Sequence, residues 1–137
     1  MKQFSFSTPM TKVPPSLRVW FFFHFLVDII FGMPLLLFPK WTFSLFGLPP
    51  ELFAGRLIGA ALLGIGGVSL LVRKEGREVY RALLKLKMLW SGSAILGLLL
   101  SISQGAPPIT LAFLGIFVFF FSLWGYYFQQ VTSSYKS

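Results

Sequence analysis

Apolar residues in this chain run together in four long blocks, and polar residues collect in the gaps between them. The blocks cover about residues 17–38, 52–72, 86–104 and 109–128. Each holds about 19–22 residues, which at about 1.5 Å rise per residue is enough to cross a hydrocarbon core about 30 Å thick. The pattern predicts an all-α membrane protein, a four-helix transmembrane bundle. Residues 1–16 then precede the first span, residues 73–85 form a loop between the second and third, and residues 129–137 form a short polar tail that frays. The first block is longer than the apolar core of a secretory signal, contains Pro34, and lacks a small-x-small cleavage site after it. It reads as a retained span.

Proline punctuates the blocks. Pro14-Pro15, Pro49-Pro50 and Pro107-Pro108 precede three of the four predicted helices. A proline suits the first helical turn, where its missing N–H is not needed, and it blocks continuation of a helix from upstream. Pro39 ends the first span, and Pro34 is expected to kink it near its end. Gly47-Leu48-Pro49-Pro50 is echoed by Gly105-Ala106-Pro107-Pro108. The echo has two readings: two helical hairpins in the same orientation, or a pair of ordinary helix-start signals, the simpler of the two.

Composition supports lipid as the solvent. Hydrophobic residues make up 55% of the 137 and charged residues 12%, with a mean hydropathy of +0.77. A soluble domain of this length cannot hide so much apolar surface. The absence of cysteine excludes disulfide frameworks, thiolate metal sites and thiol redox chemistry. A net charge of +8 would suggest nucleic acid for a soluble chain. Here the basic residues flank apolar blocks, so anionic lipid head groups are the expected partner and nucleic acid is not.

Charge also orients the spans. Lys2, Lys12, Arg18, Arg73, Lys74, Arg77, Arg81, Lys85, Lys87 and Lys136 all fall on one side of a four-span topology, and only Lys40 and Arg56 on the other. Basic residues favour the cytoplasmic side, so both termini and the middle loop are expected in the cytoplasm of a protein that crosses the cell membrane several times. Trp20, Trp90, Trp124, Tyr126 and Tyr127 are expected at the cytoplasmic interface and Trp41 at the opposite one, where amphipathic rings sit well.

The candidate chemistry is sparse. Asp28 is a carboxylate in the middle of the first block, at a cost of roughly 2.5–3.5 kcal/mol on insertion scales. His24 lies one turn before it on the same helix face, and Gly32 continues that face. Two uses stay open: a hydrogen-bonded packing site, or a proton-accepting or solute site facing the bundle interior. Arg56, about one turn into the second block, is the candidate counter-charge. The two backbones differ in depth by roughly 10 Å, which a long side chain bending inward would partly cover, although it would equally reach outward to head groups. His24, Asp28 and Arg56 therefore form the expected intramembrane polar site. One histidine and one aspartate are too few for a metal, and no phosphate-cradling loop or His-Glu metal motif is present. No catalytic residue, metal or cofactor is expected.

Small residues suggest where helices approach. Gly55-xxx-Gly59 and Ala60-xxx-Gly64 give the second span a small surface, matched by Ser91, Ser93, Ala94 and Gly97 on the third. In lipid no hydrophobic force pulls helices together, so small faces that permit close contact are favoured at interfaces. Spans two and three are expected to form the tight centre, with homodimerisation through Gly55 and Gly59 as the other use. The run Phe117 to Phe121 is expected to face lipid or a second subunit. Lys74, Arg77, Arg81 and Lys85, spaced by three and four, make a basic stripe on a continuation of the third helix. Its expected partner is anionic lipid, with an acidic protein as the alternative.

Between Phe38 and Gly67 a span ends in proline, an aromatic loop carries Gly47-Leu48-Pro49, and Ala54-Gly55-Arg56-Leu57-Ile58-Gly59-Ala60 opens a small-residue helix. This arrangement resembles a broad group of small four-helix membrane proteins, the DoxX-like proteins among them. The resemblance implies the fold and places Arg56 in a recurring pattern. It implies no redox role, since no residue here matches a redox site. The expected function is that of a non-enzymatic accessory or packing protein, partnered by the bilayer and by a second copy or another membrane protein. The alternative is a small transporter or channel subunit for protons or a small solute.

Overall fold

A computed structural model describes residues 12–133. Lys2, Lys136 and most of the N-terminal segment lie outside the described residues. The chain forms five helices, α1 (Pro15–Leu37), α2 (Pro39–Leu45), α3 (Leu52–Leu71), α4 (Arg77–Ser103) and α5 (Ile109–Ser133), with no strand among the described residues. Four of them, α1, α3, α4 and α5, are long and apolar enough to cross a membrane. The protein is an all-α bundle of membrane-length helices.

Helix α4 starts at Arg77, two and a half turns below the predicted third span, as the expected continuation of that helix requires. One boundary differs from expectation: α5 continues to Ser133, into the segment expected to fray. The short α2 was not legible as a helix, because its aromatic residues read as loop. Pro39 at its first position starts it with the preset φ of a helix. Pro34 lies inside α1, and the helix runs only three residues beyond it before Phe38, at φ −131°, breaks the chain direction.

The repeated Gly-x-Pro-Pro segments turn out to stop helices as well as precede them. Gly47 (φ +65°) and Gly105 (φ +87°) both take the left-handed conformation that glycine alone adopts without strain. Gly47 donates to Ser44 and Leu48 to Phe43; Gly105 donates to Ile102 and Ala106 to Ser101. Both sets close the last carbonyls of a helix in the same double-bonded cap. The prolines then prevent resumption until α3 and α5 begin.

The long helices pair as α1 with α3 and α4 with α5. This is the pairing of two successive hairpins, and it corrects the expected centre between the second and third spans, α3 and α4. At about 100° per residue, Gly59 lies some 40° from Gly55 around the axis of α3 and Gly66 some 20°, while Gly64 lies about 180° away. Accordingly Gly55, Gly59 and Gly66 are buried, whereas Ala60 and Gly64 are exposed and nothing approaches the open side of Gly64. A Cβ on Gly59 would sit 2.7 Å from the Leu36 nitrogen and 2.8 Å from the Gly32 oxygen. The backbones of α1 and α3 touch there. On α4 only Ser91 of the predicted small set is buried.

The two hairpins join at the end where the chain begins. Val13, Leu17 and Phe21 of the first meet Tyr80 and Leu84 of α4 and Phe120, Trp124, Tyr127 and Val131 of α5. Trp124 and Tyr127 are therefore core residues rather than interfacial anchors, and Phe120 is buried while Phe119 and Phe121 face outward. Tyr127 donates to the Ser16 hydroxyl at 2.8 Å. Arg18 reaches across to the α3–α4 turn, bonding the carbonyls of Arg73 and Glu75 with its guanidinium 5.0 Å from the Tyr80 ring centre. Elsewhere the bundle surface is greasy: Ile30, Phe53, Leu71, Leu89 and Leu111 are all well exposed, as lipid-facing side chains must be.

Candidate functional site

His24 and Asp28 face the bundle interior, as their spacing on one helix face requires. Asp28 is 4% exposed, and its Oδ2 lies 3.0 Å from Nδ1 of His24. Among the described residues no hydrogen bond of ordinary geometry is made to Oδ2, and the approach to Nδ1 is its one close polar contact. Gly66 makes room for the carboxylate: a Cβ there would fall 2.5 Å from Cβ of Asp28 and 2.8 Å from Oδ2.

The counter-charge is Lys87, not Arg56. Lys87 is 1% exposed, with its Nζ 3.0 Å from Nδ1 of His24. With the ring proton on Nε2, Nδ1 accepts from the Lys87 ammonium. The faces of Phe21 and Trp124 lie 4.9 and 5.2 Å from Nζ, so the cation is held by aromatic rings as well as by the histidine. Lys87 and Asp28 thus approach the same imidazole nitrogen from different helices. The His24 ring is itself packed edge-on against Phe120 and Trp124, at 4.8 and 5.2 Å between centres.

Arg56 takes a different position. It is exposed on α3, and its Nε bonds the Leu36 carbonyl at 3.4 Å. Leu36 is eight residues beyond Asp28, about 12 Å further along α1, so the gap in depth is not bridged. Helix α3 turns its glycines toward α1 and leaves Arg56 at the rim. The sequence placed Lys87 with the cytoplasmic charges, and one signal sets it apart. Lys74 lies in the turn before α4; viewed down the helix, Arg77, Arg81 and Lys85 cover about 80°, while Lys87 falls on the adjoining face with Tyr80, Leu84 and Ser91. Those four are all buried.

The stripe itself is divided. Lys74 and Lys85 are exposed, Arg81 is half-buried, and Arg77 is 4% exposed, which removes it from an outward head-group surface. Arg77 lies about 20° from Leu84 around the axis, on the margin of the buried face.

Above the Asp28–His24 pair is a cavity of about 220 Å³. His24 and Asp28 form part of its lining; the rest is almost wholly apolar, with Val27, Phe31 and Leu35 from α1, Leu62 from α3, and Phe113 and Phe117 from α5 among the walls. Thr42 also lines it, but its hydroxyl is committed to the Phe38 carbonyl at 2.9 Å. Phe46, from the end of α2, closes the top by meeting Phe113 at 5.2 Å and Phe31 at 6.2 Å. The cavity lies between the two hairpins, beyond the end where their cores join. Lys87 is not among its lining residues. No group of three or more His, Cys, Asp or Glu able to hold a metal occurs among the described residues.

The sequence matches no protein-family model, and no curated protein or solved structure matches it either.

Proposed function

We propose that this small integral membrane protein binds a lipophilic small molecule inside its bundle, and belongs with solute-binding or solute-moving membrane proteins rather than with enzymes. The observation that carries the reading is the cavity. A charge pair retained only for packing is best enclosed by side chains, since any space beside it forfeits contacts. Here the buried carboxylate and imidazole border a space large enough for a ligand, at the one point where the wall is polar. Pockets for small molecules have this composition, apolar with a few convergent polar groups.

The nature of the wall argues against conduction of ions or protons. Beyond Asp28 the lining is phenylalanine and leucine, with one committed threonine, and offers no chain of groups to pass a proton onward. A ligand that dissolves in the bilayer needs no aqueous path. Its route in is the seam between α3 and α4, where Leu62 and Leu98 line the cavity and the two helix backbones stay apart.

The orientation is part of the same proposal. The end carrying Arg18, Lys74 and Lys85 faces the cytoplasm of the cell membrane, with Lys74 and Lys85 exposed for anionic head groups at around 1 kcal/mol each. The packing role has its own support in the glycine seam of α1 and α3, and that seam serves to hold the hairpin that presents Asp28.

The test is a cavity block. Val27→Phe should fill space beside Asp28, and stabilisation of the purified protein by small apolar compounds, read as a rise in Tm, should disappear. Equal stabilisation of Val27→Phe and the parent by every compound would refute an internal binding site.

A further inference from the structure

We propose that the guest of the cavity is an aromatic hydrocarbon of about nine or ten carbons, one ring with a short alkyl chain, and that it carries no polar head group. The proposal rests on the binding reading above and names the class of ligand.

The surface that the wall presents decides the polarity of the guest. Three polar side chains border the cavity, His24, Asp28 and Thr42, and all three are buried. Nδ1 of His24 is taken by the Lys87 ammonium, and Oδ2 of Asp28 is turned onto Gly66 of α3 beside that same nitrogen. The Thr42 hydroxyl donates to the Phe38 carbonyl. These groups serve contacts within and between helices, and little of them reaches the cavity surface. Ile58 and Ile116 also line the cavity, and they are 41% and 39% exposed. What a guest touches is hydrocarbon. A hydroxyl, carbonyl or charged group drawn in from the membrane interface would exchange its water for that wall, at the cost of an unmade hydrogen bond.

The rings decide its shape. In a bilayer every apolar space is open to lipid chains, so an apolar wall alone selects nothing, and a guest must gain something that a chain does not. Phe113 meets Phe31 and Phe46 edge to face, at 6.5 and 5.2 Å between centres, where the three rings border the cavity. Phe117 and Phe120 continue the same face of α5 down toward His24. Rings at such spacings and angles attract one another beyond the area they bury, because each has a positive edge and a negative face. A guest ring in this cage makes contacts of the same kind, whereas a saturated chain makes dispersion contacts alone. Volume sets the size. A dry cavity of about 150 Å³ holds benzene, so about 220 Å³ has room for a ring and roughly three further carbons.

The experiment compares three probes of one outline: propylbenzene, propylcyclohexane, which has the same carbon skeleton without a π-system, and 4-propylphenol, which adds a hydroxyl. Each is titrated into the purified full chain in detergent micelles, with its concentration counted within the micelle and its affinity taken from the rise in Tm. Propylbenzene should bind about threefold or more tightly than propylcyclohexane, for the ring contacts. It should bind about tenfold or more tightly than 4-propylphenol, for the hydrogen bond that the phenol loses. Val27→Phe from α1 and Leu62→Phe from α3 fill the space independently, and whichever folds with the helical circular dichroism of the parent should bind none of the three. If propylcyclohexane or 4-propylphenol binds the parent as tightly as propylbenzene and the filled variants exclude it, the cavity reading stands and the aromatic-hydrocarbon assignment is overturned. If no probe binds, or if the filled variants bind them as the parent does, both fall.

Discussion

Gly59→Ala and Gly64→Ala should have opposite effects, although the two glycines sit in similar small-residue motifs on one helix. At Gly59 the new methyl group would meet backbone on three sides: the Leu36 nitrogen at 2.7 Å, the Gly32 oxygen at 2.8 Å and the Leu35 carbonyl carbon at 3.1 Å. Ordinary contact needs about 3.5 Å or more, so α1 and α3 must part by something under an ångström. A gap of about 0.5–1 Å forfeits a quarter to a half of each contact's attraction along the seam. No rotamer change relieves it, because the obstacles are main chain. Overpacking of this kind costs about 1–3 kcal/mol, and the upper part of the range applies when backbones must move. At Gly64 nothing lies within 4 Å. There alanine brings only its helix propensity, a gain of at most about 1 kcal/mol. Since both variants share that gain, the difference between them isolates the steric cost. The assay is reversible unfolding in mixed micelles, followed by helical circular dichroism and tryptophan fluorescence. Indistinguishable stabilities, or a less stable Gly64→Ala, would mean that α3 does not meet α1 through Gly59.

Three further outcomes follow from the same contacts. Lys87→Met leaves Asp28 buried without its cation and should cost about 3–5 kcal/mol, while Lys87→Met combined with Asp28→Asn should recover most of the loss. Additive single effects in that double-mutant cycle would show that the two charges do not compensate each other. Arg18→Gln removes the bonds to the Arg73 and Glu75 carbonyls, and amide exchange between residues 72 and 80 should accelerate with a global loss near 1 kcal/mol; unchanged exchange there would count against the clamp. A reporter fused after Ser137 should be active in the cytoplasm, and activity on the far side of the membrane would reverse the proposed orientation.

The membrane helices were legible because their signal is local: about twenty apolar residues between prolines need no tertiary information. The His24–Asp28 pair was legible for the same reason, since four residues along a helix fix the two side chains on one face. Lys87 was not. Its charge placed it with the cytoplasmic basic residues, and nothing local to it tells that the face of α4 it shares with Tyr80 and Leu84 is the one turned into the bundle. Arg56 failed as a partner because depth along α1 could be estimated but the rotation of α3 could not. That rotation follows from which glycines meet α1, and a sequence with small residues on two opposite faces does not say which face is used. The cavity was invisible for a related reason. It arises where two hairpins diverge, and no single residue records a divergence.

The placement of Lys87 has a consequence for how the molecule is made. Asp28 enters the bilayer with the first hairpin, while the lysine that balances it is about sixty residues further along the chain. At about 5–20 residues per second, ribosomes need roughly 3–12 s to reach it. During that interval the newborn α1–α3 hairpin holds an acid with only an imidazole beside it, and α4 arrives carrying the missing charge. Electroneutrality inside the membrane is therefore completed by an assembly event, the docking of the second hairpin onto the first, and that event supplies a reason for the two halves to find each other in a solvent that gives greasy helices none.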